Sequence, residues 1–486
     1  MKKAAIIGAG IGGLSSAIRL AVKGYRVDVY ESNKSYGGKM KEMSMKGFRF
    51  DMGPSLLTMP EKLDELFYLA NKNPRDYFSY SKLSEGCRYF YEDGTVINGY
   101  TDSKKFAHEV NKKTGVSEKL IIKHINKNLF LFDSTSFLFL EKSLHKIKTY
   151  FSFRVFIAFL KLPFLQIFES MNTVNKRRFN NEKIIKIFNR FATYNGSNPF
   201  KAPAILNSIS ALEFNKGAYY PDKGMFSIAS ALFKLCKDLG VIFHFKTTIE
   251  KISVKNNIAN GVFVNKEIKF FDVIICNQDI YFVYKKLLPQ RYVLKSFLTQ
   301  ERSSSALIFY WGINKGFENL NLHNIFFSNN YNEEFKNISE NNQIYKDPTV
   351  YINITSKMTR KDAPNNCENW FVMINTPNDK GQDWESLIAK ARNNIIKKIN
   401  RVLKINIEDY ITCEELLTPQ LIESTTQSFR GSLYGSSSNS RASAFFRHPN
   451  FSNRISNLYF CGGSVHPGGG IPLALSSSKI VDELIS

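Results

Sequence analysis

KAAIIGAGIGGLSSAIRLAVKGYRVDVYE, residues 3–31, begins as a short apolar run and breaks at Gly8, Gly10 and Gly13. It continues as an apolar helical stretch and returns to a second apolar run ending at Glu31. This order of strand, turn, helix and strand cradles a dinucleotide. Gly8 permits the tight turn, Gly10 lets the backbone approach a pyrophosphate, and Gly13 lets the helix lie close to the sheet. The helix N-terminus offers unpaired N–H groups and a partial positive charge to phosphates. Glu31 lies about 20 residues further on, where a carboxylate accepts from ribose hydroxyls. Lys2, Lys3 and the apolar run could pass for a signal peptide, but glycines inside the apolar segment and a strand directly after it argue against that.

The next residues separate two kinds of dinucleotide. Gly37, Gly38 and Lys39 are followed by a strand-like segment from Met45 to Gly53, and Pro60 opens a helical pattern. A plain NAD dehydrogenase passes from its acid directly into another helix and strand. The glycine doublet and the turn at Asp51 to Ser55 point to FAD, with Lys39 and Arg49 placed to counter phosphate charge. Late in the chain, LYFCGG feeds a glycine-rich loop and a helix starting near Ile471 and Pro472. A second helix N-terminus after a glycine loop suits the far end of a long cofactor, where reduced flavin carries negative charge.

Between these ends the pattern changes. Arg88 to Ile97 reads as a hairpin turning at Asp93 and Gly94. Residues 110–191 read as basic, amphipathic helices, and Thr149 to Phe168 is the most apolar stretch. Arg154, Lys161 and Pro163 interrupt it, so it reads as a helix lying on a membrane surface or as a buried helix pair, not as a spanning segment. A helix from Met225 and strands up to Cys276 return the chain to the nucleotide domain, where the Ile249 amide is placed to meet adenine. Four alternating segments between Ser303 and Pro377, an amphipathic helix from Trp384 to Leu403 and a strand from Ile411 follow.

Composition limits the partners. The 486 residues carry a formal net charge of +23 together with 41 Phe and 23 Tyr. No helix-turn-helix, zinc-finger or RNA-binding signature accompanies the charge, so nucleic acid is not expected and an anionic membrane surface or codon bias is. The six cysteines form no CxxC pair and the seven histidines no HxH or HExxH, so neither a disulfide framework nor a metal is implied.

The chain resembles the bacterial phytoene desaturases, carotenoid desaturases within the amine-oxidase-like flavoproteins. The resemblance rests on GAGIGG (8–13), GGKM (37–40), FDMGPSLLT (50–58), YYPDKGM (219–225), the NQD after VIIC, and NLYFCGGSVHPGGGIPLAL (457–475). Where typical members read FRPHNR, this chain has FRHPN at Phe446 to Asn450, preceded by GSLYGSSSN. That variant is more similar to the hydroxycarotenoid 3,4-desaturases.

The resemblance implies an α/β fold: a discontinuous, Rossmann-like FAD-binding domain of the glutathione-reductase type (1–75, 215–285 and 430–486). An inserted α+β substrate domain would take 76–214 and 286–429, with residues 110–191 helical and membrane-facing. FAD contacts would fall on Gly8, Gly10, Gly13, Glu31, Gly38, Lys39, Ile249, Gly463 and Ile471. Many relatives carry arginine at the Lys39 position. The implied reaction is desaturation of an acyclic carotenoid by hydride transfer to flavin, on a 1-hydroxycarotenoid or, alternatively, on phytoene itself. Oxygen or a quinone would be the final acceptor, and the enzyme would be cytoplasmic and peripheral to the membrane. Arg447, His448, Glu213 and Asp222 are polar residues to follow near the flavin, and His466 would shape the glycine loop. Other readings are an amine oxidase, a retinol saturase-like reductase, or a carotenoid-binding membrane flavoprotein without turnover.

Overall fold

The computed structural model describes residues 1–151, 165–440, 443 and 446–485. Its first layer is a five-stranded parallel sheet ordered Leu458–Phe460, Val273–Cys276, β1 (Lys3–Ile7), β2 (Arg26–Tyr30), Ile242–His244. The strands come from the beginning, middle and end of the chain, as the return pattern in the sequence requires. Both faces of β1 are buried, which is why it reads as an unbroken apolar run. Ala4 and Ile6 join a core with the helices Ile11–Val22 (α1), Phe226–Asp238 and Ile471–Leu484. Ala5 and Ile7 join a second core under an antiparallel meander formed by 251–255, 258–264 and 267–270. Small residues let α1 meet the C-terminal helix: the Ser15 and Ser478 hydroxyls share a 2.5 Å hydrogen bond across the contact.

The second layer is a seven-stranded sheet ordered 411–417, 305–313, 368–376, 350–354, 323–326, 85–90, 96–100. It is antiparallel except where 323–326 meets 85–90. The four strands expected between Ser303 and Pro377, the Arg88 to Ile97 hairpin and the helix Trp384–Leu403 all form. Strand alternation divides the sheet's faces. Phe326, Val350, Ile352, Trp370 and Val372 pack beneath Trp384–Leu403 through Ile395 and Ile399. On the other face Phe371, Ile308 and Tyr310 meet Phe48, Phe50 and three part-buried methionines, Met43, Met45 and Met52. Farther along that face, Tyr89, Ile325 and Phe327 lie under the helices Ser103–Thr114, Glu118–Glu141 and Glu182–Asn189.

Residues 152–164, which hold Arg154, Lys161 and Pro163 of the expected membrane helix, lie outside the described residues. Among the described residues no helix is long and apolar enough to cross a membrane.

Candidate functional site

At the carboxyl end of β1 the chain turns through Gly8 with φ +101°, and the Gly8 N–H donates to the Tyr30 carbonyl at 2.8 Å. Helix α1 starts so close to this turn that a Cβ on Gly13 would sit 2.0 Å from the Gly8 carbonyl oxygen. The Gly37 N–H donates to Ala9 at 2.8 Å, which lays the glycine doublet against the loop, with Gly38 facing Gly10. Glu31, 6% exposed, accepts from the Ala9 N–H through Oε2 at 2.8 Å and from the Asn33 backbone and side chain through Oε1 at 2.8 Å each. Its carbonyl receives the Thr247 N–H at 2.9 Å, bringing the Ile249 segment beside it, and the Ile249 side chain is buried in the core that holds Tyr30.

The C-terminal loop meets this cradle from the edge strand Leu458–Phe460, beyond Val273–Cys276. The Gly462 N–H donates to Ser477 Oγ at 2.7 Å, and a Cβ on Gly463 would lie 3.3 Å from the Gly469 Cα. Gly470, with φ +111° and open space around it, caps the helix at Ile471. Both α1 and this helix begin without a capping side chain and without an acid in the first turn. Their N–H groups and dipole ends are left to an external anion. Part-exposed glycines at 8, 10, 38 and 463, two uncapped helix ends and a terminal acid on β2 are the features FAD requires, and the residues fit it.

Part-buried Lys39 and the buried Arg302 and Arg447 surround the C-terminal loop. Lys39 Nζ donates to the carbonyls of Leu433 at 2.6 Å and Ser432 at 3.1 Å. Arg302 pairs with Asp279 and donates to Ser432 Oγ at 3.2 Å. Arg447 Nη1 donates to Tyr434 O at 2.8 Å, and its Nε would be 3.1 Å from a Cβ on Gly468. Asp279 is the carboxylate ion-paired with this group among the described residues, so the surroundings favour an anion. Burial lowers Arg447 to about 10, with Arg302 adding to the effect.

Burial also lowers Lys39 from 10.5 to about 8, against the attraction of Asp279. Its cost to folding is therefore present below about pH 8 and relieved as pH rises toward 10.5. The cation offered to the cofactor changes in the opposite sense and is lost above about pH 8. Titration with FAD across this range should show affinity falling above about pH 8 in the native chain and staying level in Lys39→Arg, which keeps its charge. Parallel curves would remove Lys39 from cofactor binding.

The other polar residues are held by protein partners, and for Arg49 this corrects the expected phosphate contact. Arg49 does not face phosphate: it pairs with Asp51 at 2.7 Å, Glu42 at 2.8 Å and Asp362 at 3.2 Å. Asp51 in turn accepts from the Met225 and Phe226 N–H groups, so the pair anchors the start of the helix Phe226–Asp238. Asp222 is exposed and held by Ser79 at 2.6 Å and Ser81 at 3.0 Å, away from the glycine loops. His448 Nδ1 donates to Pro449 O at 2.7 Å and Nε2 accepts from the Tyr284 hydroxyl at 2.8 Å. Burial lowers it to about 3, so both ring nitrogens are committed to a neutral, structural histidine. His466 donates from Nε2 to Lys142 O at 2.9 Å and so ties the glycine loop to residue 142. Glu213 is buried in an ion pair with Arg190 at 2.6 Å, beneath Tyr194.

Asn277 is the functional residue that sequence reasoning missed. A Cβ on Gly10, Gly12 or Gly462 would come within 2.8, 2.7 and 2.5 Å of its side-chain amide. One asparagine thus fills the space left by glycines of both loops, and Nδ2 donates to Cys461 O at 3.3 Å. The NQD motif was its visible signal.

The family model for flavin containing amine oxidoreductases matches residues 11–300. The chain is 50% identical over 485 residues, 100% of its length and 99% of the relative's, to a 1-hydroxycarotenoid 3,4-desaturase of Flavobacterium sp. (strain P99-3). It is 32% identical to a 4,4'-diapolycopene oxygenase of Methylomonas sp., covering 99% of this chain and 97% of the other. Among solved structures, an oxidoreductase from Methanosarcina mazei superposes with TM-score 0.67 at 15% identity, covering 99% of this chain and 100% of that one. A putrescine oxidase variant superposes with TM-score 0.65 at 12% identity, covering 100% and 98%. These two show the shared fold.

Proposed function

The chain belongs to the flavin containing amine oxidoreductase family, and from that membership we propose that it is an FAD-dependent desaturase of acyclic 1-hydroxycarotenoids, forming the 3,4 double bond. When bound, FAD supplies a hydride acceptor. We assign its binding to Gly8, Gly10, Gly13, Glu31, Gly38, Lys39, Ile249, Gly463 and Ile471, within residues 1–75, 215–285 and 430–486. The rest, 76–214 and 286–429, would hold the substrate.

The observation that carries the reading is what lies next to the glycine loops. Leu433, whose carbonyl receives Lys39, belongs to an apolar floor with Met43, Met52, Met373, Ile308 and Phe371. Such a floor offers dispersion contacts along a polyene and excludes water from the reacting carbons. Holding those carbons in a near-attack geometry is worth roughly 7 to 11 kcal/mol in favourable cases. The test is incubation of the FAD-loaded protein in liposomes with a 1-hydroxylated acyclic carotene and, separately, with phytoene. A red-shifted product from the hydroxylated substrate is expected; conversion of phytoene alone would move the assignment to a phytoene desaturase, and no product from either would overturn it.

Membrane docking is part of the same proposal, because the substrate resides in lipid. The segment tied to His466 through Lys142 continues into Lys146, Ile147, Lys148 and Phe151, with Ile147 76% and Phe151 84% exposed. Apolar residues between cations suit an anionic bilayer, each cation contributing about 1 kcal/mol. Ile147→Glu with Phe151→Glu should move the protein from sedimenting liposomes to the supernatant; unchanged sedimentation would place the docking surface elsewhere.

A further inference from the structure

His323 begins the strand His323–Phe326 on the face of the seven-stranded sheet that looks toward the helical layer, where its neighbours are Tyr351 and Asn353. It is 4% exposed. Its Nδ1 lies 2.8 Å from the Tyr351 hydroxyl and 3.2 Å from Asn353 Nδ2. The amide orientation of Asn353 is set by a second bond, because Nδ2 also donates to the Leu322 carbonyl at 2.9 Å, and a carbonyl only accepts. Nδ1 therefore faces an obligate donor and must be the unprotonated nitrogen. Burial holds the imidazole neutral, lowering it to about 3. Its single ring proton then sits on Nε2, and among the described residues Nε2 has no hydrogen-bond partner. A buried N–H without an acceptor is rare and calls for a ligand or an ordered water.

The position of this donor says what the ligand is. Tyr351 links His323 to Ser55 through a 2.7 Å hydroxyl contact. Ser55 follows Gly53, where an added Cβ would be 2.0 Å from the Lys39 carbonyl oxygen. Residues 52–56 are each part-exposed, and the turn they form packs against the Lys39 backbone beside the glycine doublet. The donor thus stands at the end of a short hydrogen-bonded chain that starts beside the cofactor cradle. On the proposed substrate, the hydroxyl at carbon 1 is only a few bonds from the 3,4 bond, so whatever binds it must also stand close to the cofactor.

We propose that His323 Nε2–H donates to the oxygen at carbon 1 of the carotenoid and selects hydroxylated over unsubstituted chain ends. Asn353 and Tyr351 act as positioning residues that hold the tautomer. A hydrocarbon end leaves the N–H unpaired and is bound less well for that reason. The inference rests on the function proposed above. It concerns discrimination at one end of the substrate, not the removal of hydrogen.

The test compares kcat/KM for a 1-hydroxylated acyclic carotene and its deoxy counterpart in liposomes, using FAD-loaded native protein, His323→Phe and His323→Gln. The native protein should prefer the alcohol by about tenfold to a hundredfold. His323→Phe should bring the ratio near one by losing the alcohol, chiefly through KM, with the deoxy substrate little affected. His323→Gln, which keeps a donor, should recover part of the preference. Should His323→Phe fail to retain FAD, His323→Asn, whose donor is too short to reach, takes its place with the same expected ratio. An equal loss on both substrates, an unchanged ratio, or a native ratio near one would each overturn the inference. If the native protein desaturates neither carotene, the fault lies with the proposed function. If it desaturates the alcohol and the variants leave the ratio unchanged, the fault lies with His323 alone.

Discussion

Gly10→Ala is expected to yield a chain that folds poorly and purifies without FAD, and Asn277→Ala in the same chain is expected to restore the folding but not the FAD. The backbone at Gly10 has φ −74°, so alanine meets no conformational strain there. What its Cβ meets is the Asn277 Oδ1 at 2.8 Å, with the Gly38 Cα next at 4.0 Å. Crowding of that kind costs about 1 to 3 kcal/mol when the neighbour cannot give way. Asn277 is held by Cys461 O and by its own backbone bond to Ile7, so it yields little. Shortening it removes the clash. The methyl still stands where a pyrophosphate must approach the backbone, so cofactor binding stays lost. The two effects separate in thermal melting and FAD titration of both single variants and the double. A double variant that binds FAD like the native chain would mean that Gly10 serves only to accommodate Asn277.

Glu213→Gln is expected to lower stability by about 3 to 5 kcal/mol, the usual cost of leaving one buried charge without its partner. Arg190 and Glu213 have side chains 7% and 3% exposed and meet at 2.6 Å. Arg190 also donates to the Tyr89 hydroxyl at 2.8 and 3.1 Å, and the Tyr194 hydroxyl donates to Glu213. Burial works against the Arg190 charge and Glu213 outweighs it, raising the group well above its ordinary value. With the carboxylate replaced that compensation goes, and the guanidinium, too basic to lose its proton, is left buried and unpaired. Gln keeps the shape and removes the charge, which isolates the electrostatic part. The paired replacement Arg190→Met with Glu213→Leu should cost less than Glu213→Gln alone, since no orphan charge remains. Denaturation midpoints at constant slope measure both, and a loss under about 1 kcal/mol for Glu213→Gln would show the guanidinium to be solvated or otherwise paired.

The parts of this fold that were legible in the sequence are those decided by local pattern. Lys3 to Ile7 is a strand because both its faces are apolar, and Trp384 to Leu403 is a helix because one stripe is. The glycine loops were legible because Gly8 and Gly470 hold backbone conformations that other residues avoid. The site's electrostatics were not legible. Arg49 looked free for phosphate because one of its three carboxylates, Asp362, is distant in sequence. Asn277 showed only as part of a motif, since the glycines it fills belong to loops at opposite ends of the chain. His323 gave no signal at all, because an unpaired ring N–H is defined by what the neighbouring strand 350–354 places around it.

The reaction itself is best tested by counting product with oxygen and other acceptors excluded. FAD-loaded protein in liposomes, mixed with the 1-hydroxylated carotene, should form about one molecule of the longer polyene per bound FAD and then stop, while the FAD-free chain forms none. Product from the FAD-free chain, or none from the loaded one, would contradict a desaturation that depends on this cofactor cradle.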